Sequence, residues 1–315
     1  MTKITIVYAP DTNFFPLTLV SMASVLQNAP ATDSIQFAII YAGLDEKYLP
    51  MIDNLQSIHP FELKLLKVDE TAFADFPLAN WVTVETWFRC LMGDLLPQTD
   101  KALYLDCDTI VRSSLAPLFS LDMKENLMAG VEDISKSKFM AEKLALEDNL
   151  YCNAGVIFAN LEAWRKADFF NLIKRVITDN STVSNDQDAI NKACDKLKFR
   201  LPPQYDFMHT WWFDNIPEYD AEYMKQYEAA GNDAVIVHFI GPKPNTPKCR
   251  NKFVDEYKRY TRLIPNFDAL QREIGCRKQG RRDLSLKQKI FSITYSNDKR
   301  HTVSYTHLTL PTKLE

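Results

Sequence analysis

The sequence predicts an α/β protein with a single, mostly parallel central sheet flanked by helices. Three observations carry that expectation. Short β-branched and aromatic runs alternate with helix-periodic segments, the order that a parallel sheet with crossover helices requires. The 315 residues are 46% hydrophobic and 25% charged, enough to bury one large core. Only eight glycines and no internal repeat argue against a solenoid or a string of flexible modules.

Ile4 to Tyr8 reads as the first strand, Pro10 to Asn13 as a turn, and the apolar residues from Leu17 to Leu26 as a helix. The unit repeats in IQFAIIYA (35–42), a helical stretch after Asp45, and FELKLLKV (61–68). Trp87 to Leu95 reads as a helix, and ALYLDCDTIV (102–111) as one buried strand that ends in acid. Beyond it come LMAGV (127–131), AGVIFANL (154–161), one helix from Glu162 to about Thr178, a helix opening near Asp186, and the strand AVIVHFI (234–240). Residues from about Phe253 to Gly275 close the domain as helix or loop.

With 37 basic and 41 acidic residues the net charge is -4, so no nucleic-acid partner is expected. Six scattered cysteines, none in a C-x-x-C pair, fit a reducing compartment and exclude a zinc ribbon or redox pair. The opening run ITIVYA is too short for a signal-peptide core, and no apolar stretch approaches membrane length, so a cytoplasmic location is expected. The charge is unevenly spread: residues 272–300 hold nine Lys or Arg against three Asp or Glu.

Asp106 and Asp108 stand two apart after an apolar strand, and the strand period places both carboxylates on one side. Two like charges in water-poor surroundings call for a cation, and hard oxygen ligands suit Mg2+ or Mn2+. His238, ending another apolar run, would meet them at the same sheet edge and tilt the choice toward Mn2+. The alternative for each residue alone is structural: Asp106 capping a turn, and His238 as a hydrogen-bonded core histidine.

With these residues in place, the sequence resembles glycosyltransferase family 8, the bacterial lipopolysaccharide galactosyl- and glucosyltransferase and glycogenin group, over about residues 4–248. The resemblance implies a GT-A type nucleotide-diphospho-sugar transferase fold with Asp106, Asp108 and His238 holding the metal. Ala9, Asp11, Asn13 and Phe14 fit the family's A-x-D-x-N-[YF] pattern, which implies contacts to uracil and ribose, the Phe14 ring stacking on the base. By the same resemblance Arg89 sits near the donor sugar and phosphates, Asn153, Ala154 and Gly155 line the sugar pocket, and Asp133 contacts a sugar hydroxyl. Asp186, Gln187 and Asp188 match a D-Q-D segment, which puts Gln187 beside the anomeric carbon and leaves Asp188 as a candidate nucleophile; as plain helix residues they would open a helix with Asp as cap. The segment HFIGPKPN carries Gly241 and Lys243, is one residue shorter than the family's H-x-x-G-x-x-K-P-W, and has Asn245 in place of tryptophan; Lys248 is a second candidate for the diphosphate grip.

The implied activity is a Mn2+-dependent, retaining transfer of glucose or galactose from a UDP-sugar to a glycan or lipid-linked saccharide. Retention by a covalent intermediate or by same-face attack stays open. Two other readings compete. LDCDTI approaches the D-x-D-x-[TV] motif of haloacid dehalogenase-like phosphatases, though Ile110 fills the Thr or Val position and the motif lies mid-chain. A UDP-sugar binder without turnover is the other. The expected organisation is a catalytic domain at 1–265, a basic segment at 266–300 and a foreign tail at 301–315. Between Arg277 and Arg300, basic residues interleave with Leu284, Leu286, Ile290, Phe291 and Ile293, as for peripheral contact with an anionic membrane or for a solvated tail. Oligomeric state is not indicated.

Overall fold

A computed structural model describes residues 2–78, 83–208 and 221–272. The chain divides into two compact units, Met1–Phe267 and Asp268–Glu315, and all elements named below lie in the first. The basic segment 277–300 and the tail 301–315 lie outside the described residues.

Among the described residues the strands are β1 (Lys3–Tyr8), β2 (Ser34–Tyr41), β3 (Phe61–Lys67), β4 (Lys101–Leu105), β5 (Thr109–Val111), β6 (Met128–Gly130), β7 (Val156–Asn160), β8 (Lys198–Arg200) and β9 (Ile236–His238). Seven form the central sheet in the order β3-β2-β1-β4-β7-β6-β8. The run β3-β2-β1-β4 is parallel, and β7 is antiparallel to both of its neighbours. β1 and β2 are apolar along most of their length because both faces are buried, whereas the edge strand β3 alternates partly exposed residues with Lys and Glu.

The expected strand 102–111 is interrupted. β4 stops at Leu105, residues 106–108 form a turn, and β5 leaves the sheet to pair antiparallel with β9 in a two-stranded ribbon, Thr109 opposite His238. Ribbon and sheet are joined by helix α1 (Phe15–Asn28), which is buried throughout from Phe15 to Leu26. Its few polar groups are spent on this seam: Ser21 Oγ lies 2.9 Å from both Tyr8 Oη and Thr109 Oγ1, and Val111 N donates to Ser24 Oγ at 2.8 Å. Such a helix can be apolar all round because it has protein on every side.

Two helical expectations are also corrected. The segment expected as a helix over 87–95 is a 3-10 helix at Val84–Leu91 followed by one α-turn at Met92–Leu95. The single helix expected over 162–178 is two, Leu161–Lys166 and Phe169–Asp179, separated where Asp168 takes a left-handed φ of 50°. Cys90, Cys107, Cys152, Cys194 and Cys249 are all free thiols.

One ion pair near β8 carries a testable cost. The Lys198 side chain is wholly buried, with Nζ 2.7 Å from Asp148 and 3.2 Å from the Asn191 carbonyl. Asp148→Ala leaves that ammonium buried without its counter-charge, and a loss on the order of 3 kcal/mol is expected. Lys198→Met removes the buried charge itself and is expected to cost much less. Urea midpoints check this, and equal losses would contradict it. Burial alone would raise the Asp148 carboxyl, but Lys198 together with the backbone N–H groups of Leu150 and Lys196 holds it below the usual range. Its contribution is therefore complete above the unfolded value of about 4 and is lost as pH falls through the lower folded one.

Candidate active site

The turn at 106–108 and the end of β9 bring three side chains together. His238 Nε2 lies 3.4 Å from Asp108 Oδ1 and 3.7 Å from Asp106 Oδ2, and the three ligand atoms all fall within 4.8 Å of one another. Cis ligands around an octahedral ion of Mg2+ size sit about 3 Å apart, so the set fits a divalent cation after small closure. The expectation of convergence on one side of a strand is met by different means: the turn aims the carboxylates, and the ribbon pairing delivers the imidazole. Gly155 makes the approach possible, because a Cβ there would stand 2.2 Å from His238 Cε1 and 2.7 Å from Asp106 Oδ2.

Cations flank this set. Lys243 Nζ pairs closely with Asp108 Oδ2. Arg89, buried, donates to Asp106 Oδ1 at 3.1 Å, to the Thr86 carbonyl at 2.8 Å and to the Ala154 carbonyl, and lies 3.3 Å from Asp186. Its guanidinium stacks 4.2 Å above the Tyr104 ring, whose hydroxyl donates to Asp106 Oδ1 at 3.0 Å. The charges hold one another. Burial alone would raise Asp108, but Lys243 and His238 pull it well below the carboxylate range. Burial would lower His238, but Asp206 and Asp108 push it up to about 10.

A cleft of about 520 Å³ opens over these groups. Ala9, Asp11 and Phe14 line it from the β1 side, Gly241 and Lys243 from the segment after β9, with Arg89, Asp106 and Asp108 also in its lining. Asp11 Oδ1 accepts from the backbone N–H of Asn13 and of Phe14, at 2.7 and 2.8 Å, which fixes the loop before α1. Lys243 Nζ is 5.9 Å from the Phe14 ring centroid. Lys248 is exposed and is not part of the lining.

The remaining expected site residues form a bonded layer joined to the cleft through Ala154. Asn153 Oδ1 accepts from Gly155 N at 2.7 Å, and Ala154 N donates to Gln187 Oε1 at 3.1 Å. Gln187 Nε2 donates to Asp133 Oδ2 at 3.0 Å, whose other oxygen accepts from the Ser135 hydroxyl at 2.5 Å. Asp188 does not reach the cleft. It is wholly buried, and its two oxygens are taken by the Tyr151 hydroxyl at 2.6 Å and by the Ser184 N–H and hydroxyl at 3.0 and 2.7 Å. The helix Asp186–Ala193 is capped by Asn185, not by an Asp, with Asp188 N donating to Asn185 Oδ1 at 2.9 Å.

Sequence reasoning passed over two neighbours. Tyr104 looks like any apolar strand residue, and only the fold shows its hydroxyl on Asp106. Asp206 lies in PPQYDF, which has no periodicity and no motif, yet its Oδ1 is 3.1 Å from His238 Nδ1.

A mostly parallel sheet with acids at the turn after a central strand, next to a buried histidine and lining a cleft of about 520 Å³, defines a GT-A type sugar transferase. The chain belongs to glycosyltransferase family 8, whose family model, described as glycosyl transferase family 8, matches residues 5–244. It is similar to a putative glycosyltransferase of Haemophilus influenzae, 27% identical over 244 residues that cover 75% of this chain and 71% of the relative. A lipopolysaccharide 1,2-glucosyltransferase of Escherichia coli is 29% identical over 242 residues, 73% of this chain and 69% of that one. Among solved structures, the galactosyltransferase LgtC in complex with donor and acceptor sugar analogs superposes with a TM-score of 0.72 at 26% identity, covering 83% of this chain and 96% of LgtC.

Proposed function

We propose that the protein transfers glucose or galactose from a UDP-sugar to a glycan or lipid-linked saccharide, with retention and with Mn2+ held by Asp106, Asp108 and His238. The observation that carries this reading is the convergence of those three ligands, within 4.8 Å, beneath a cleft that Lys243 and Arg89 also line. The bound ion would supply positive charge to the departing diphosphate. The chain's own residues do the rest. Lys243 neutralises Asp108 and keeps a third of its side chain exposed in the cleft, which makes it a better diphosphate grip than Lys248. Arg89 is committed to Asp106, Thr86 and Ala154, so it orients the metal-side carboxylate and adds fixed positive charge to the pocket floor. Phe14 and Asp11, with Asn13 beside them, take the uridine, and Gln187, Asp133 and Asn153 hold the sugar side.

Retention by same-face attack is the better supported course. Asp188 is wholly buried with both oxygens hydrogen-bonded, and Asp186 is paired with Arg89, so both carboxylates of the D-Q-D segment are already engaged. The phosphatase reading falls with the family match, because glycosyl transferase family 8 covers residues 5–244 and so includes Asp106 and Asp108. The lipopolysaccharide relatives support a cell-surface glycan acceptor. Among the described residues no helix is long and apolar enough to cross a membrane, which fits work at the cytoplasmic side with peripheral contact through residues 277–300.

UDP is expected to bind much more tightly with Mn2+ than after chelation, because Asp106 and Asp108 otherwise repel the diphosphate. Calorimetry with and without Mn2+ tests this, and equal affinity would remove the metal assignment. Donor hydrolysis across UDP-sugars then separates an enzyme from a binder. Preference for a GDP- or CMP-sugar over every UDP-sugar would overturn the roles of Asp11 and Asn13.

A further inference from the structure

Asp206 is the least expected charge in the molecule. It is 0% exposed, directly after the single 3-10 turn Pro203–Tyr205, with Oδ1 3.1 Å from His238 Nδ1 and no hydrogen-bond partner for Oδ2. Burying a carboxylate with one oxygen unpaired costs stability, and packing alone would be better served by an amide or an apolar side chain. Its position is set by the backbone. Val235 N donates to Gln204 O at 2.7 Å, Phe207 N to Ile236 O at 2.8 Å, and His238 N to Phe207 O at 3.1 Å, so residues 204–207 run beside β9 in fixed register. The Asp206 side chain is thereby held to the far nitrogen of an imidazole whose near nitrogen, Nε2, faces Asp108 and Asp106.

We infer that Asp206 is a positioning residue for the metal site: accepting a hydrogen bond from Nδ1–H, it fixes the His238 ring so that Nε2, once a metal takes the place of its proton, points between Asp106 and Asp108. This rests on the metal reading given above. A carboxylate behind a ligating histidine locks the tautomer, restricts the ring and makes the imidazole a stronger donor. Two consequences follow from the chemistry of the donor set. Removing Asp206 weakens nitrogen ligation while the two oxygen ligands stay, so affinity for Mn2+ falls more than affinity for Mg2+, which relies less on nitrogen. Asp206→Asn falls between wild type and Asp206→Ala, because an amide oxygen still accepts from Nδ1–H but carries no charge.

The test is calorimetry of Mn2+ and of Mg2+ binding to the full chain without nucleotide, for wild type, Asp206→Asn and Asp206→Ala, with thermal melts of each in chelator. The expected result is a loss of about 10- to 100-fold in Mn2+ affinity for Asp206→Ala, a smaller one for Asp206→Asn, and a lesser change for Mg2+. The metal-free melts report the fold separately, so that a loss of Mn2+ affinity in a variant still folded at the assay temperature is read as a loss at the site. In 15N spectra of the Mg2+-loaded wild type, His238 is expected to carry its proton on Nδ1. Should wild type bind neither ion, the metal reading fails. Should wild type bind Mn2+ while Asp206→Asn and Asp206→Ala bind it equally well, or should the proton lie on Nε2, the inference about Asp206 is overturned and the metal reading stands.

Discussion

Asp108→Asn is expected to fold normally and to lose about two to three orders of magnitude in turnover, the scale seen when a leading charge-stabilising group is removed from an active site. The fold should survive because the backbone of the turn is held elsewhere: Asp106 N donates to Gly155 O at 2.7 Å and Phe239 N to Asp108 O at 2.9 Å. What disappears is a buried negative charge facing His238 Nε2 on one side and Lys243 on the other. An amide keeps the volume but is a poorer metal ligand, and its own N–H group would turn toward a cation. Lys243, freed of its partner, then pairs with the diphosphate whether or not metal is present. The variant should therefore still bind UDP weakly while losing the dependence on Mn2+. Circular dichroism and donor hydrolysis under saturating Mn2+ read this out, and turnover within threefold of wild type would remove Asp108 from the machinery.

The parts of the fold that could be read from the sequence are those where one property decides placement. β1 and β2 are apolar along most of their length because both faces are buried, so they announce themselves as central strands. Asp106, Asp108 and His238 were legible because each breaks such a run with a residue that apolar packing cannot explain. The break at 106–108 was not legible: Thr109 to Val111 are as β-prone as Ala102 to Leu105, and only the pairing with β9 tells them apart. The left-handed turn at Asp168 is hidden for the same reason, since helical spacing runs on through it. Asp188 looked free because its neighbours in sequence are polar, whereas Tyr151, which accounts for one of its oxygens, comes from a loop 37 residues away. Side-chain satisfaction is a tertiary property. Motif and periodicity say which residues are unusual, and the fold says which of them still have a lone pair to offer.

Gly155→Ala is expected to disable the site without touching any ligand. The added Cβ would lie 2.2 Å from His238 Cε1, 2.9 Å from His238 Nδ1 and 2.7 Å from Asp106 Oδ2, all closer than real carbon contacts. None of these neighbours yields easily. The His238 ring is buried and tied to Asp206, Asp106 is held by Tyr104 and Arg89, and Gly155 itself is pinned by hydrogen bonds at its own N–H and carbonyl. The cost in stability should be about 1–3 kcal/mol, as for other overpacked positions. The cost in function should be larger, because relief comes most readily by pushing the imidazole and the Asp106 carboxylate apart, which opens the metal set. Metal-dependent UDP binding is therefore expected to be lost under conditions where the protein is still folded. Gly43→Ala is the matched control: nothing lies within 4 Å of a Cβ there, so stability and UDP binding should both be unchanged. A Gly155→Ala protein that bound UDP in Mn2+ as tightly as wild type would mean that His238 can swing clear and that the metal is held by the two aspartates alone.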